Sequence, residues 1–388
     1  MSIYRRKSGR YAVLVDLEPS ATGARRRKSI GTYRTRKDAE AAERKALDAR
    51  DRGIDLSPGN VTLAEVVGRF LHDAESRLAP GTVAGYSELW RVLAAPTLGA
   101  IPLGKLRAAH LQNLYADLAR SPGRRGKPRS ACRIHHVHRM LHRVLSWSER
   151  LGLIEHNVAR HVEPPRLGPS SARALTTEEA ARIISASEGT RFHPFFAVAI
   201  ATGMRRGELL GLRWSDVDLD RGMLTVRQAL ADDHRGGYYV KPTKTNRERC
   251  VPLAPIAIDA LRAVRVRQAH EKLAAGSLYE DGGFVFAGEY GQPCDLEAPT
   301  KAFTGIARRL GISGVTLHSC RHAVATWALA DGADVRSVAA VLGHAAASTT
   351  LNLYGHVVAG GKERAVSVAA SALAGAQERL ASGANPRG

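Results

Sequence analysis

The sequence predicts a multidomain, mainly α protein: a small N-terminal β-sheet plus helix module, a helical bundle, and an α+β domain containing a small antiparallel sheet. Three observations predict it. Proline- and glycine-rich breaks at DLSPGN (55–60) and EPPRLGPSSARAL (163–175) interrupt the periodic pattern twice. Between the breaks, apolar residues recur at helical spacing, and between Trp214 and about Pro255 the period shifts to that of strands. A chain of 388 residues is long enough for two or three cored domains.

In the first 56 residues, GRYAVLVDLE and ARRRKSIGTYRT alternate like strands around a PSATGA turn, with SIYRRK the candidate for a third strand. RKDAEAAERKALDARDRG follows as a polar helix ending at Gly53. Arg5, Arg6, Lys7, Arg25, Arg26, Arg27 and Lys28 crowd a sheet too small to hide them, which suits a polyanion.

Past the first break, Thr62 and Glu65 form a capping box, and Leu63, Val66, Val67, Phe70 and Leu71 share one helix face. Further helices fit GTVAGYSELWRVLAAPTLG, AAHLQNLYADLARS and SACRIHHVHRMLHRVLSWSERLG. In the last, Ile134, Val137, Leu141, Val144 and Leu145 make the apolar stripe, while Arg133, Arg139 and Arg143 ride around it as candidate contacts to a polyanion. His135, His136, His138 and His142 invite a metal reading, but the intervening Glu of HExxH and a third ligand at a recognised spacing are missing, so no metal is expected there.

After the second break, Thr176 and Glu179 make another capping box. The helical run FFAVAIATG leads to Arg205 and Glu208. DVDLDRGMLTVRQAL, GGYYVKPTKTN and RERCVPLA read as one small antiparallel sheet, with Lys244 at a hairpin tip. PIAIDALRAVRVRQAHEKLAAG and APTKAFTGIARRLG are helices, and GGFVFAGEYGQPCD reads as an exposed connection. HSCRHAVATWALADG begins after Thr316 and stops at Gly332, placing His318 and Arg321 at i and i+3 on one face. His322 projects elsewhere. The next helix takes Asp334 as N-cap, buries Val335, Val338 and Leu342, and ends at Gly343, which throws His344 past its end. Ser348 caps a short helix carrying Tyr354. Guanidinium forks, imidazoles and a phenol delivered to one place fit a metal-free phosphoryl-transfer site.

Charge agrees with that chemistry. Lys and Arg outnumber Asp and Glu by 57 to 37, a formal charge of +20, which favours nucleic acid as partner. Cys132, Cys250, Cys294 and Cys320 are scattered and form no CxxC pair, as expected of reduced thiols in a cytoplasmic protein. No signal peptide and no run of eighteen apolar residues is present, so no membrane partner and no export are expected. Neither a Gly-rich phosphate loop nor a carboxylate pair suited to two metals appears, so no cofactor is expected.

ATGMRRGEL, the Lys244 segment ending in VPL, HSCRH, LGH and TLNLYGH, in this order across residues 172–358, resemble the tyrosine recombinases of the phage integrase type. The resemblance implies an arm-type DNA-binding domain at 1–56, a helical core-binding (SAM-like) domain at 61–162, a linker at 163–174, a catalytic domain of tyrosine recombinase type at 175–358, and a C-terminal helix and tail at 359–388. It implies Tyr354 as nucleophile, forming a 3′-phosphotyrosyl link and releasing a 5′-hydroxyl, with Arg205 and Arg321 on the non-bridging oxygens and Lys244 protonating the leaving oxygen. His318 would act as acid/base or phosphate partner, His344 as a further donor, and Glu208 as an orienting group. The chain departs from the family in carrying Ser319 and Cys320 where an acidic residue and leucine are usual.

The same resemblance implies integration or excision of a phage or mobile element on double-stranded DNA, by a homotetramer in a bacterial cytoplasm. An excisionase and a DNA-bending host factor are candidate partners. Type IB topoisomerase-like cleavage and non-catalytic DNA-binding regulation are the alternatives; the complete set of clamp residues and the N-terminal module weigh against both.

Overall fold

The computed structural model describes residues 2–17, 26–51, 61–121, 128–168, 173–234, 236–243, 248–343 and 350–351, and the single positions 123, 126, 346 and 348. The chain divides into two compact units, Met1–Pro169 and Ser170–Gly388.

In the first unit, strands β1 (Ser2–Arg5), β2 (Tyr11–Leu17) and β3 (Arg26–Tyr33) form an antiparallel sheet in that order, so SIYRRK does supply the third strand. The β1–β2 turn closes through the Arg6 amide on the Arg10 carbonyl, with Gly9 at φ 78°. Helix α1 (Arg36–Asp51) follows, and Val13, Ala39 and Ala46 are buried together, with Ile3, Tyr11, Ile30 and Tyr33 packed around them. That core is small, so the basic side chains have nowhere to go but out: Arg5, Arg6 and Lys7 are exposed, and Arg27 pairs with Asp16 at 3.1 Å.

The same unit contains α2 (Leu63–Glu75), α3 (Pro80–Leu89), a π turn at Trp90–Ala94 that runs on into α4 (Ala95–Leu98), α5 (Ala108–Arg120) and α6 (Ala131–Arg150). The α2 capping box forms as read, the Thr62 amide donating to Glu65 at 2.7 Å and the Glu65 amide to the Thr62 hydroxyl at 3.3 Å. All five stripe residues of α6 are buried against Leu63, Val66, Phe70, Leu111 and Leu114. At about 1.5–3 kcal/mol for each large apolar side chain removed from water, this stripe holds α6 in place far more than its intrinsic propensity does.

The second unit is built around α8 (His193–Thr202), which is buried on nearly every side. Around it lie α7 (Thr177–Ser187), α10 (Pro255–Ala275), α11 (Ala298–Arg309) and α12 (Leu317–Ala330); α9 (Arg206–Leu210) and α13 (Val335–Leu342) complete the helices described there. Its strands make two sheets and not one. β4 (Val217–Asp218), β5 (Met223–Val226) and β8 (Arg249–Pro252) form the first, and β6 (Gln228–Asp232) with β7 (Tyr238–Pro242) the second. β7 and β8 therefore do not pair, and Lys244, read at a hairpin tip, lies outside the described residues. The segment read as an exposed connection is also different: Phe284, Val285, Phe286 and Ala287 are buried, with Phe286 edge-on to Phe195 at 5.0 Å. Its flanking glycines masked a four-residue apolar run that closes the core.

Candidate active site

α8 ends at Gly203, which is left-handed at φ 64°, and the chain turns directly into α9. Arg205 is the residue before α9. Its amide donates to Glu208 Oε2 at 3.0 Å and its Nη1 to Glu208 Oε1 at 2.7 Å, so backbone and side chain are gripped by one carboxylate. Arg205 Nη2 also reaches the Gly343 carbonyl at 3.3 Å. The adjacent Arg206 instead pairs at the surface with Glu297 at 2.7 Å.

Glu208 is 2 % exposed and has a second cation, Arg249, whose Nη2 and Nη1 donate to its two oxygens at 2.6 and 3.2 Å. Burial pushes the Glu208 carboxyl up, but the hydrogen bond and charge of Arg249, followed by the amide and side chain of Arg205, outweigh it and hold the group below its ordinary value. It is therefore an anion at neutral pH and an acceptor only.

Arg321, on the first turns of α12, is buried; its Nη1 donates to the Gly203 carbonyl at 3.0 Å and its Nη2 to the Leu342 carbonyl at 2.5 Å. α12 starts where it does because the Thr316 amide is capped by the Ser319 hydroxyl at 3.0 Å. Ser319 is buried, so a neutral hydroxyl performs this capping without burying a charge. Cys320 points into the main core, where burial pushes its thiol up to about 12. The two departures from the HxxR pattern are thus a cap and a packing residue.

His318 and Arg321 share the α12 N-terminal region as expected, but His322 is not turned away. Its ring lies 4.9 Å from that of His318, edge to face, as i and i+4 residues do. Desolvation, then the charges of His322, Arg321 and Arg205, push His318 down to about 4. The free protein therefore carries a neutral imidazole here at pH 7.

α13 is capped by Asp334, which accepts from the amides of Arg336 and Ser337, and it ends at Gly343 with φ 66°. Val338 and Leu342 are buried and Val335 is packed beside them. The carbonyls of Val341, Leu342 and Gly343 accept from Arg249, Arg321 and Arg205 respectively. Three guanidinium groups thus converge on one helix C-terminus, whose partial negative charge suits them. His344 follows immediately, but His344, Lys244 and Tyr354 lie outside the described residues, as does Arg25. Arg26 and Lys28 lie on β3.

The bundle's expected contacts are on α6. Arg133 pairs with Glu88 at 2.8 Å, Arg143 reaches the Tyr86 hydroxyl at 3.5 Å, and Arg139 is exposed. Tyr86, Arg139 and Arg143 line a 580 Å³ groove floored by Gly81 and Gly85. Three of the histidines are already engaged: His138 with the Tyr115 hydroxyl at 3.1 Å, His135 with the Pro165 carbonyl at 2.6 Å and His136 with Cys132 Sγ at 3.8 Å.

Residues 173–360, which contain this whole constellation, match the phage integrase family. The chain belongs to that family. Among curated relatives of this phage integrase family member, a tyrosine recombinase XerC-like protein of Caldanaerobacter subterraneus subsp. tengcongensis is 28 % identical over 353 residues, covering 86 % of this chain and 89 % of the relative. An integrase of Streptomyces ambofaciens is 25 % identical over 334 residues, covering 84 % of each. Among solved structures, the Tn1549 transposon integrase in complex with transposon right end DNA is similar in fold, at a TM-score of 0.66 and 19 % identity over 79 % of this chain and 100 % of that one. The lambda integrase tetramer bound to a Holliday junction matches at a TM-score of 0.57 and 19 % identity, over 89 % and 95 %. These likenesses agree with the mainly helical fold and its small antiparallel sheets.

Arg249 is what the sequence reading missed in this family member. The KPTKTNRERCVPL segment points to Lys244, and nothing local distinguishes Arg249 from the Arg247 before it. Only the fold reveals that the Arg249 side chain, 10 % exposed, reaches a carboxylate 41 residues away and a carbonyl 92 residues away.

Proposed function

We propose that this chain is a site-specific DNA recombinase that cleaves and rejoins duplex DNA through a covalent 3′-phosphotyrosyl intermediate, integrating or excising a phage or mobile element. The convergence of Arg205 and Arg321 on the end of α13 carries this reading, because it holds two permanently charged forks together at adjacent carbonyls, an arrangement that suits the oxygens of one phosphate.

In this mechanism the Tyr354 oxygen attacks the scissile phosphorus and the P–O5′ bond breaks. Lys244 delivers a proton to the departing 5′-oxygen, giving a 5′-hydroxyl, and the phosphotyrosine retains the bond energy for rejoining. Arg205 and Arg321 bind the non-bridging oxygens, whose charge grows in the transition state. His318, neutral before DNA arrives, is able to accept the phenol proton or hydrogen-bond the phosphate; His344 is a further donor, and Glu208 orients Arg205 without touching substrate. Rejoining runs the same steps backward with a new 5′-hydroxyl as nucleophile.

In this reading residues 1–56 are the arm-type DNA-binding domain, 61–162 the core-binding domain, 163–174 the linker, 175–358 the catalytic domain, and 359–388 the tail. The exposed Arg5, Arg6, Lys7 and Arg139 support backbone contacts to DNA. The assembly on DNA is a homotetramer, with an excisionase and a DNA-bending host factor as partners, in a bacterial cytoplasm. The test is a covalent trap: wild type and Tyr354→Phe incubated with nicked duplexes drawn from DNA flanking the gene, then run on a denaturing gel. A protease-sensitive adduct with wild type alone is expected; an adduct with Tyr354→Phe, or none with either, overturns the assignment.

A further inference from the structure

We propose that Arg249 is a positioning residue of the site: it occupies Glu208 so that the Arg205 guanidinium stays available to DNA phosphate, and it pins the end of α13 at Gly343, which Arg205 also holds. The inference rests on the recombinase reading above.

Glu208 is one buried anion between two guanidinium groups. Arg249 takes both of its oxygens, at 2.6 and 3.2 Å, whereas the Arg205 side chain takes only Oε1, at 2.7 Å. A bidentate fork on a carboxylate is the stronger arrangement, so Arg249 carries most of the neutralisation. Without it, a buried carboxylate that must still be compensated has Arg205 as its neighbouring cation and draws that fork inward, away from substrate. Arg249 does a second thing with the same head group. Its Nε donates to the Val341 carbonyl at 2.8 Å, next to the carbonyls held by Arg321 and Arg205. Gly343 lies so close that a Cβ built on it would stand 2.8 Å from Arg249 Nη1. One side chain therefore sets both the orientation of a clamp arginine and the seat of the Gly343 helix end.

The experiment uses the full chain and five variants: R249K, R249M, E208Q, E208Q/R249M, and R227K as control, since Arg227 is an exposed arginine paired with Asp216 and Glu248 on the neighbouring strand connection. Covalent adduct formation on a nicked site, DNA affinity, thermal midpoint, and hydrogen exchange of peptides covering 205–210 and 335–343 are measured. For R249K we expect DNA affinity within about 3-fold of wild type, adduct formation slowed about 10- to 100-fold, and faster exchange in both peptides, by the loss of one fixed fork. R249M is expected to be slower still, and adding E208Q to recover several-fold of its loss, because Arg205 is then released; R227K stays within about 2-fold.

Adduct formation by R249K at the wild-type rate overturns the proposal. So does a fall in rate no greater than the fall in DNA affinity, or a double variant whose loss is the product of its single losses, as a merely structural side chain would give. If wild type itself forms no adduct, the recombinase reading fails separately. The exchange data then decide alone, and unchanged exchange in R249K overturns the positioning role.

Discussion

Arg205 and Arg321 are anchored to adjacent carbonyls, Arg205 to Gly343 and Arg321 to Leu342, although 116 positions separate them in the chain. The end of α13 thus aligns the two forks, and its own position depends on them. Because the same two residues flank Gly203, whose carbonyl binds Arg321 and whose left-handed turn leads to Arg205, the clamp is closed on both sides. In the proposed reaction such a clamp requires no rearrangement when charge develops on the phosphate, which is what preorganised stabilisation means.

Replacing Arg321 with lysine separates charge from geometry. A lysine keeps the positive charge but cannot hold both the Gly203 and Leu342 carbonyls in one plane while facing a phosphate. Adduct formation should fall about 100-fold, while DNA affinity changes by less than about 3-fold because phosphate contacts elsewhere dominate binding. Single-turnover cleavage alongside a gel-shift titration checks it; equal losses in both would contradict the assignment.

Glu208→Gln leaves two guanidinium groups facing a neutral amide at a site only 2 % exposed. Removing one partner of a buried charged set costs about 3–5 kcal/mol, and for a unit of this size each kcal/mol is worth about 2–4 °C. Thermal unfolding should show a drop near 10 °C. A variant as stable as wild type would mean that the carboxylate is not compensated by Arg205 and Arg249 as described.

The pH dependence of stability should carry a His318 signature. The folded-state pKa lies below the ordinary value, at about 4, so between about pH 6.5 and 4 the unfolded chain binds a proton that the folded chain refuses. Stability is therefore fully present above about 6.5 and lost as pH falls through that window. His318→Gln removes this contribution, and its melting temperature should fall less than that of wild type between pH 7 and pH 5. Parallel declines would show that the ring titrates normally.

How much of this was legible in the sequence follows from what is local. Capping boxes at Thr62 and Thr176, the Asp334 cap, the α6 stripe and the αL glycines at 203 and 343 depend on neighbours within a few residues, and the sequence displays those directly. Arg205, Glu208, His318 and Arg321 were legible as motif members, but their mutual support was not. Arg249 reaches Glu208 and Val341 across the fold, so no periodicity marks it. His322 departs from the expected outward projection because, although its neighbour Arg321 faces the core, i and i+4 contact returns His322 to His318. The split of the strands into two sheets was hidden for the same reason: pairing of β5 with β8 skips over β6 and β7, and strand pattern carries no pairing information.

Gly343→Ala tests whether the arginine-lined turn is as tight as it looks. At φ 66° an alanine costs about 1–2 kcal/mol from backbone conformation alone, and its Cβ would also displace the Arg249 guanidinium, 2.8 Å away. Stability should fall by at least that backbone amount, visible as a melting shift of several degrees. Adduct formation should fall more than stability explains, because at temperatures where the variant is fully folded Arg249 and the residue after the turn have still been moved. A comparison glycine separates the two effects: Gly311, also left-handed at φ 70° but with nothing within 4 Å of a built Cβ, should give Gly311→Ala a similar conformational cost with cleavage unchanged. Equal cleavage losses for the two variants would mean that the seat of the α13 turn does not govern the site.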